Sequence, residues 1–576
     1  MSHHDIPDRS HDISQPLENL SSDETLKAGS DQLRGKIHEG LRQHVTGAVP
    51  GTGPKLMKFH GIYQQDDRDV RGERARKKME PAYSFMVRVR LPGGVCTPSQ
   101  WLKLGELARA YGGNTLRMTT RQTFQFHRIL KQNLQRTLCG LREVLLDTRA
   151  ACGDDSRGVM CSVTPQFSKL HAELSALAKR ASDHAIPKTG AYKEIWYEEE
   201  REPREGPEEP FYGTTYMPRK FKIGFVIPPI NDIDIYAQDL GFIAIAEDGK
   251  LKGFNVVIGG GLGRTDKVPH TYPRLASLIG FVSNDQVFGT IDAVMAVQRD
   301  FGNRADRSRA RFKYTIDDKG LDWIKAEIEA RAGFRLQPAQ PYRFTSNGDA
   351  IGWSKGENGL WYCTLFIENG RIINTPERAM MDGLRELARV HTGMFRLTPN
   401  QNLMIADVTP ARRRTIMKLM REYGLDTLHG GSGLRLNSMA CVALPTCGLA
   451  MAESERYLPQ LVTKIEGILA AHGIAGEPIT IRMTGCPNGC ARPYIAEIGL
   501  TGRGPGKYNL FLGGGFHGER LNKMYLEDAD EEQILSALDN VLGHYARERQ
   551  EAEHFGDFAI RAGYVAEVKE GRFFND

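Results

Sequence analysis

The sequence predicts an α+β protein built twice over, a pseudo-twofold architecture with mixed sheets. Two observations carry this. Three segments recur along the chain in one order, and each copy mixes strand and helix periodicities. ELARAYGGNTLRMTTRQTFQF (106–126) matches ELARVHTGMFRLTPNQNLMIA (386–406) with one gap, setting Arg117, Thr119, Arg121 and Gln122 opposite Arg396, Thr398, Asn400 and Gln401. FNVVIGGGLG (254–263) matches YNLFLGGGFH (508–517), and more weakly GVMCSVTP (158–165) matches NSMACVALP (437–445), with Cys161 opposite Cys441. Matches in the same order argue for a duplicated unit, written A–B–A′–B′.

The elements follow in chain order. Residues 1–60 form a polar arm with little apolar periodicity, read as a tail or as a segment that orders on a partner. Unit A spans 61–150. In it FMVRVRLP alternates at period two, SQWLKLGELARAYG has helical spacing and stops at a glycine, and LRMTTRQTFQF alternates again. Unit B spans 151–340 and mixes strands such as KFKIGFVIPP with helices such as SKLHAELSALAKRAS. Its EEEREPREGPEE (199–210) reads as a surface loop. Units A′ (341–415) and B′ (416–576) repeat the plan.

At 576 residues the chain has room for three to five domain-sized units. Its 76 basic and 71 acidic residues leave a net charge of +5, too mild to point to nucleic acid. An odd set of nine cysteines, five of them scattered, is no secreted disulfide framework. Neither a signal peptide nor a run long enough to span a membrane is seen, so the expectation is a cytoplasmic protein with no membrane partner.

The remaining four cysteines cluster in B′. Cys441 and Cys447 sit in CVALPTC, Cys486 and Cys490 in CPNGC. Two Pro/Gly-containing loops that each bring two thiols suit an iron–sulfur cluster or zinc. The five-residue spacing of the first pair fits zinc knuckles poorly, and unrelated buried thiols remain the bland alternative.

The strands carry a second signal. Arg88 and Arg90 share one face of FMVRVRLP; Arg117, Thr119 and Arg121 share one face of LRMTTRQ; Lys220 and Lys222 share one face of PRKFKIGF. Arg157 opens RGVMCS. Neither FMVRVRLP nor LRMTTRQTFQFH holds an acidic residue. Cations on central strands are costly unless paired, so the missing counter-charge reads as an anionic ligand. Nucleic acid is the competing polyanion, but no nucleic-acid motif accompanies these residues. GGGLG (259–263) runs through Arg264, Thr265 and Asp266 to Pro269 with no clear helix after it, so it lacks the context of a dinucleotide site. It reads as a glycine turn where backbone approaches a cofactor or a neighbouring sheet, and no flavin or NADPH site is seen.

Taken together, the C-x5-C…C-x3-C spacing, TGCPNGC, LRMTTRQTFQFH, MPRKFK and NQNLMIA resemble the sirohaem-containing sulfite and nitrite reductases, from about residue 60 to the C-terminus. The resemblance implies that the A units are ferredoxin-like half units and the B units bind cofactors. It implies a 4Fe–4S cluster on Cys441, Cys447, Cys486 and Cys490, with Cys490 also facing the sirohaem iron. It assigns Arg117, Thr119, Arg121, Gln125, His127, Arg219, Gln401, Asn402 and Asn488 to the sirohaem carboxylates, and Arg88, Arg157, Lys220 and Lys222 to the substrate anion. A basic residue at position 157 favours sulfite over nitrite. IPPINDIDIYAQDLGFIAIAEDGKLKGFNVVIGGGLG and ERQEAEHFGDFAIRAGY resemble the NADPH-linked branch, which implies a flavoprotein (alpha) partner carrying FAD and FMN, with the arm a candidate docking element. Ferredoxin-dependent sulfite reductase and assimilatory nitrite reductase are the family alternatives.

Overall fold

A computed structural model describes residues 16–203 and 205–576. Four five-stranded sheets form two pairs. In unit B the strands Met160–Cys161, Ile223–Val226 and Leu240–Glu247 run parallel, and Lys250–Ile258 and Ser277–Ser283 continue antiparallel. Unit B′ repeats this with Ser438–Ala440, Ile481–Thr484 and Ile498–Gly504 parallel, then Lys507–Leu512 and Lys523–Ala529 antiparallel. Ile223 pairs with Leu240 as Ile481 pairs with Ile498, so the two copies superpose residue for residue across this stretch.

The ferredoxin-like halves show a feature absent from the sequence reading. The first sheet holds Ile62–Asp66, Tyr83–Arg88, Phe124–Ile129 and Leu116–Met118, and is completed by Arg371–Ile372 from the second half. The second holds Gly352–Lys355, Trp361–Leu365, Leu403–Val408 and Met394–Leu397, and is completed by Val95–Cys96 from the first half. Each half lends the other an edge strand, which covers an edge that would otherwise stay open. Local pattern cannot reveal such an exchange, because two-residue strands carry no periodicity.

The helix in SQWLKLGELARAYG forms as expected over Pro98–Tyr111. Thr97 and Gln100 make a capping box at its start and Gly112 ends it. LRMTTRQTFQF is corrected from one strand to a hairpin. Thr119–Thr123 make its turn, closed by Thr119 N–H to the Thr123 carbonyl (2.9 Å), with Gln122 at φ 54°. The second copy turns the same way, with Gln401 at φ 68°. Arg117, Thr119 and Arg121 therefore do not share one flat strand face.

The arm is also corrected. Residues 1–15 lie outside the described residues, but from residue 16 the chain packs on its own fold. Helix Ser22–Ala28 buries Glu24 and Lys27, and Leu33 and Ile37 join the main core.

Candidate functional site

The two cysteine loops leave neighbouring parallel strands at the same sheet edge. Cys441 directly follows Ser438–Ala440, and Cys486 follows Ile481–Thr484, with Ala440 in register with Met483. Cys441 N–H donates to the Met483 carbonyl (3.2 Å), and Gly485 N–H donates to Cys441 Sγ (3.4 Å). Parallel pairing is thus what brings thiols 45 residues apart in sequence to one place. Gly489 sits at φ 65°, and a Cβ there would lie 3.1 Å from the Tyr494 ring, so the CPNGC turn needs a residue without a side chain. The GGGLG loop presses on CPNGC from behind: Arg264 N–H donates to the Pro487 carbonyl (3.1 Å). The expected backbone approach is therefore to a neighbouring loop.

The structure revises the alignment of the duplicated units. Ser162 N–H donates to the Phe225 carbonyl (2.9 Å), as Cys441 N–H does to the equivalent Met483. Ser162, not Cys161, stands opposite Cys441, and Cys161 matches Ala440. Asp232 falls at the place of Cys490, and Ser162 Oγ donates to it at 2.6 Å. One copy carries thiols where the other carries a hydroxyl–carboxylate pair.

All four cysteines line one cavity of about 310 Å³. Nine Lys and Arg side chains line it too, against two carboxylates, Asp23 and Asp154. Of the residues assigned from sequence, Arg88, Arg117, Thr119, Gln125, His127, Arg157, Arg219, Lys220 and Asn488 stand in this wall. Register explains the first few. Arg88, Gln125, Arg117 and Arg371 are successive cross-strand partners, a transverse row on one sheet face. With its amide oxygen turned to Arg88, Gln125 accepts from Arg88 Nε at 3.1 Å and Nη2 at 2.6 Å. Segment 155–157 runs alongside 220–222, with Phe221 N–H to the Asp155 carbonyl (2.9 Å) and Arg157 N–H to the Phe221 carbonyl (2.8 Å). That puts Arg157 next to Lys220.

Four assigned residues are not in the wall. Arg121 donates to Gln238 Oε1 (2.9 Å) and the Gly158 carbonyl (2.7 Å), and Lys222 lies among Arg121, Lys220 and Arg311. Both stand immediately beyond it. Gln401 and Asn402 are corrected away from the cavity. Gln401 donates to the Asn369 carbonyl (3.1 Å), and Asn402 donates to Asp349 (2.8 Å) while accepting from Ile367 N–H (3.0 Å), so both side chains serve the second half.

The counter-charge expectation also needs correction. Arg90 turns away to Asp147 and Asp183 (both 2.8 Å). Arg117 Nε meets Glu455 at 2.7 Å, and Arg371 meets the same carboxylate at 2.6 Å. Asp154 lies 2.8 Å from Arg307, 3.6 Å from Arg219 and 3.7 Å from Lys27. Sequence reading missed Glu455, Asp154, Arg307, Lys55, Lys58 and the arm's Lys27, because none stands near the cysteines and strand arginines in the chain. Lys220 and Lys222 keep no ion pair or side-chain hydrogen bond among the described residues. Burial and the cations Arg311, Arg219 and Arg157 push Lys220 down to about 7. Burial, then Arg121 and Lys220, push Lys222 well below the ordinary lysine range. Burial pushes Arg121 down to about 9.

Whether these residues suit an anionic, metal-bearing cofactor can be tested on their own unmet needs. Both ring nitrogens of buried His127 and the Nε of Arg121 lack partners. Burial, and after it the neighbouring Cys490, raises the thiols of Cys441, Cys447 and Cys486. Cys490 is also an electrostatic neighbour of Lys220, which joins the thiols to the basic wall. Among the described residues no three His, Cys, Asp or Glu side chains converge tightly enough for one metal ion. Four thiols from two loops lining one cavity fit a polynuclear cluster. The donors fit both a cluster and a polycarboxylate beside it.

A duplicated α+β chain with four thiols against a cationic cavity is the framework of a redox protein that reduces a small anion. Residues 177–336 and 432–570 match the family described as the nitrite and sulphite reductase 4Fe-4S domain. Residues 77–144 and 354–423 match the nitrite/sulfite reductase ferredoxin-like half domain. The chain belongs to the nitrite and sulfite reductase family. It is 73% identical over 570 residues to the NADPH sulfite reductase hemoprotein beta-component of Nitrobacter hamburgensis, covering 99% of each chain. It is 68% identical over 570 residues to the protein of the same name from Nitrosomonas europaea, again covering 99% of each. The structure of the Mycobacterium tuberculosis NirA protein shares its fold, with a TM-score of 0.77 at 24% identity, over 96% of this chain and 99% of that one.

Proposed function

We propose that this chain is the haemoprotein subunit of an NADPH-dependent sulfite reductase, reducing sulfite to sulfide by six electrons. The observation that carries the reading is the single cavity in which four thiols meet nine cations, with Cys490 beside Lys220. The names of relatives at 73% and 68% identity support sulfite as substrate and NADPH as the ultimate donor.

Cys441, Cys447, Cys486 and Cys490 would hold the 4Fe–4S cluster, and Arg117, Thr119, Arg121, Gln125, His127, Arg219 and Asn488 would hold the carboxylates of a sirohaem, with Cys490 the thiol on its side. When bound, that pair supplies the one-electron redox steps that side chains cannot. The chain's own residues do the rest. Arg157, which commits only its Nε to the Gly153 carbonyl, would offer its Nη groups to the oxygens of a small oxyanion, and Arg88, tied to Gln125, Ala151 and Cys152, adds charge beside it. Lys220 and Lys222 form no ion pair among the described residues, so an arriving anion would draw protons onto them. A lysine held near 7 gives up and regains a proton at neutral pH, which suits Lys220 to supplying protons as sulfite oxygens leave as water. Neutral His127 adds an imidazole free to donate or accept.

Electrons would come from a flavoprotein partner carrying FAD and FMN, and the protein would work in the cytoplasm. Among the described residues no helix is long and apolar enough to cross a membrane. The arm is not a clean handle on partner docking, because Asp23, Leu26 and Lys27 line the cavity. Deleting residues 1–50 should lower activity with a chemical reductant as well as with NADPH.

The deciding measurement is the absorption spectrum of the purified chain, with iron and acid-labile sulfide assayed on the same sample. A sirohaem spectrum with about five irons per chain is expected. Zinc without a chromophore would overturn the reading.

A further inference from the structure

One short turn touches much of the basic wall. Arg88 Nη1 donates to the Ala151 carbonyl (3.2 Å) and to Cys152 Sγ (3.0 Å), and Arg157 Nε donates to the Gly153 carbonyl (2.9 Å). The next residue, Asp154, is 4% exposed and gathers cations from three distant segments. They are Arg307 at 2.8 Å, Arg219 at 3.6 Å and Lys27 of the arm at 3.7 Å. All four side chains line the cavity. The carbonyl of Asp154 accepts from Met217 N–H (3.0 Å), which ties the turn to the MPRK segment.

We propose that Asp154 is a positioning residue that holds Arg219 and the arm's Lys27 at the cavity wall, making Lys27 a further basic residue that meets the incoming anion. This rests on the sulfite reading above.

The physical argument is one of competing charges. Lys27, Arg219 and Arg307 converge on one carboxylate. Without it Lys27 keeps Glu24 (2.6 Å) and Arg307 keeps Asp23 (3.0 Å). Arg219 keeps no carboxylate among the described residues and is pushed away by its cationic neighbours. Burial would raise the pKa of Asp154, but Arg307, Lys27 and Arg219 outweigh it and hold it well below the usual carboxylate range. The carboxylate therefore stays ionised. The arm has a separate anchor. Glu24, 1% exposed, takes Arg304 Nη1 at 2.5 Å and Lys27 Nζ at 2.6 Å, and Ser21 N–H donates to the Arg304 carbonyl (3.1 Å). Lys27 Nζ also donates to the Met217 carbonyl (2.8 Å), so loss of Asp154 should leave the arm tethered but loosened at Lys27, and Arg219 free to shift. A cleft lined by one sign of charge concentrates anions, so displaced cations weaken capture of substrate more than turnover.

The test uses the pigmented holoenzyme with a chemical one-electron reductant, which removes the partner from the assay. Asp154→Asn should raise the KM for sulfite roughly three- to tenfold, the scale of coupling within one ion-pair network, with kcat within about twofold. Lys27→Met should raise KM in the same direction, and the double variant should match Asp154→Asn instead of compounding it. Asp154→Glu should restore most of the loss. Trypsin cleavage within residues 22–36 should quicken in Asp154→Asn and return to normal in Asp154→Glu. Unchanged KM and unchanged cleavage in Asp154→Asn would overturn the proposal. So would an equal fall of kcat and pigment that Asp154→Glu does not rescue. If the wild-type holoenzyme fails to reduce sulfite, the functional reading falls. The cleavage experiment then still decides whether Asp154 steadies Lys27 in its place.

Discussion

Glu455 links the basic wall to the cysteine loops, and neutralising it probes that link directly. Its N–H donates to the Cys441 carbonyl (3.1 Å), and its carboxylate takes Arg117 at 2.7 Å and Arg371 at 2.6 and 3.1 Å. Charge-assisted hydrogen bonds contribute about 1.5–3 kcal/mol each, roughly twice a neutral one. Glu455→Gln keeps the shape but gives up the charge and one acceptor, leaving two guanidinium groups without an anion. A loss of about 3 kcal/mol is expected, at the low end of the cost of removing one partner from a buried ion pair. That is roughly a hundredfold in the folding equilibrium. Urea unfolding of the wild-type and variant chains, followed by circular dichroism, reads the difference, and the iron content of the purified variant should fall in parallel. The pH dependence has a definite sign. Burial raises the Glu455 pKa, but Arg371 and Arg117 outweigh it and depress it. Its contribution is therefore present above the ordinary glutamate pKa and lost as pH falls through the depressed value. The gap between wild type and variant should close in acid. A variant within about 0.5 kcal/mol of wild type at neutral pH would place Glu455 among ordinary surface positions and refute the reasoning.

Arg157→Ser should reduce sulfite turnover more than nitrite turnover, compared by kcat/KM under one chemical reductant; equal losses on both substrates would sink the specificity role. Gly489→Ala forces a side chain into a φ of 65° and against the Tyr494 ring, so labile sulfide per chain should drop by at least half while the fold, read by circular dichroism, stays intact. Lys220→Met should stabilise the cofactor-free chain, since burial and its cationic neighbours push Lys220 down to about 7. The folded chain is penalised for protonating it, so the gain should be full below about pH 7 and fade as pH rises toward the ordinary lysine pKa. A gain that grows with pH would contradict the sign.

Much was legible from sequence, and for short-range reasons. The capping box and terminal glycine of Pro98–Tyr111 lie within or beside the helix they bound. The thiol pairs are each local, and the mixed strand and helix periodicities of the units pointed to mixed sheets. The matched segments showed that unit to be present twice, and Arg88, Arg157, Lys220 and the four cysteines do meet at one cavity. The misses share a cause. A hydrogen bond decided that Ser162 stands opposite Cys441, where similarity of letters had favoured Cys161. Turn geometry sent Gln401 and Asn402 into the second half.

What the amino-acid sequence determined by itself was the duplication, the helices and strands with clear periodicity, the cysteine spacing and the excess of cations on strand faces. These follow from interactions between residues a few positions apart. Only the tertiary structure decided which charges are paired, which edge strands are exchanged and that the arm belongs to the site. Glu455 reaches Arg117 across 338 positions, and Glu24 reaches Arg304 across 280. An ion pair depends on distance in space, and no local pattern encodes that distance until the chain has closed on itself.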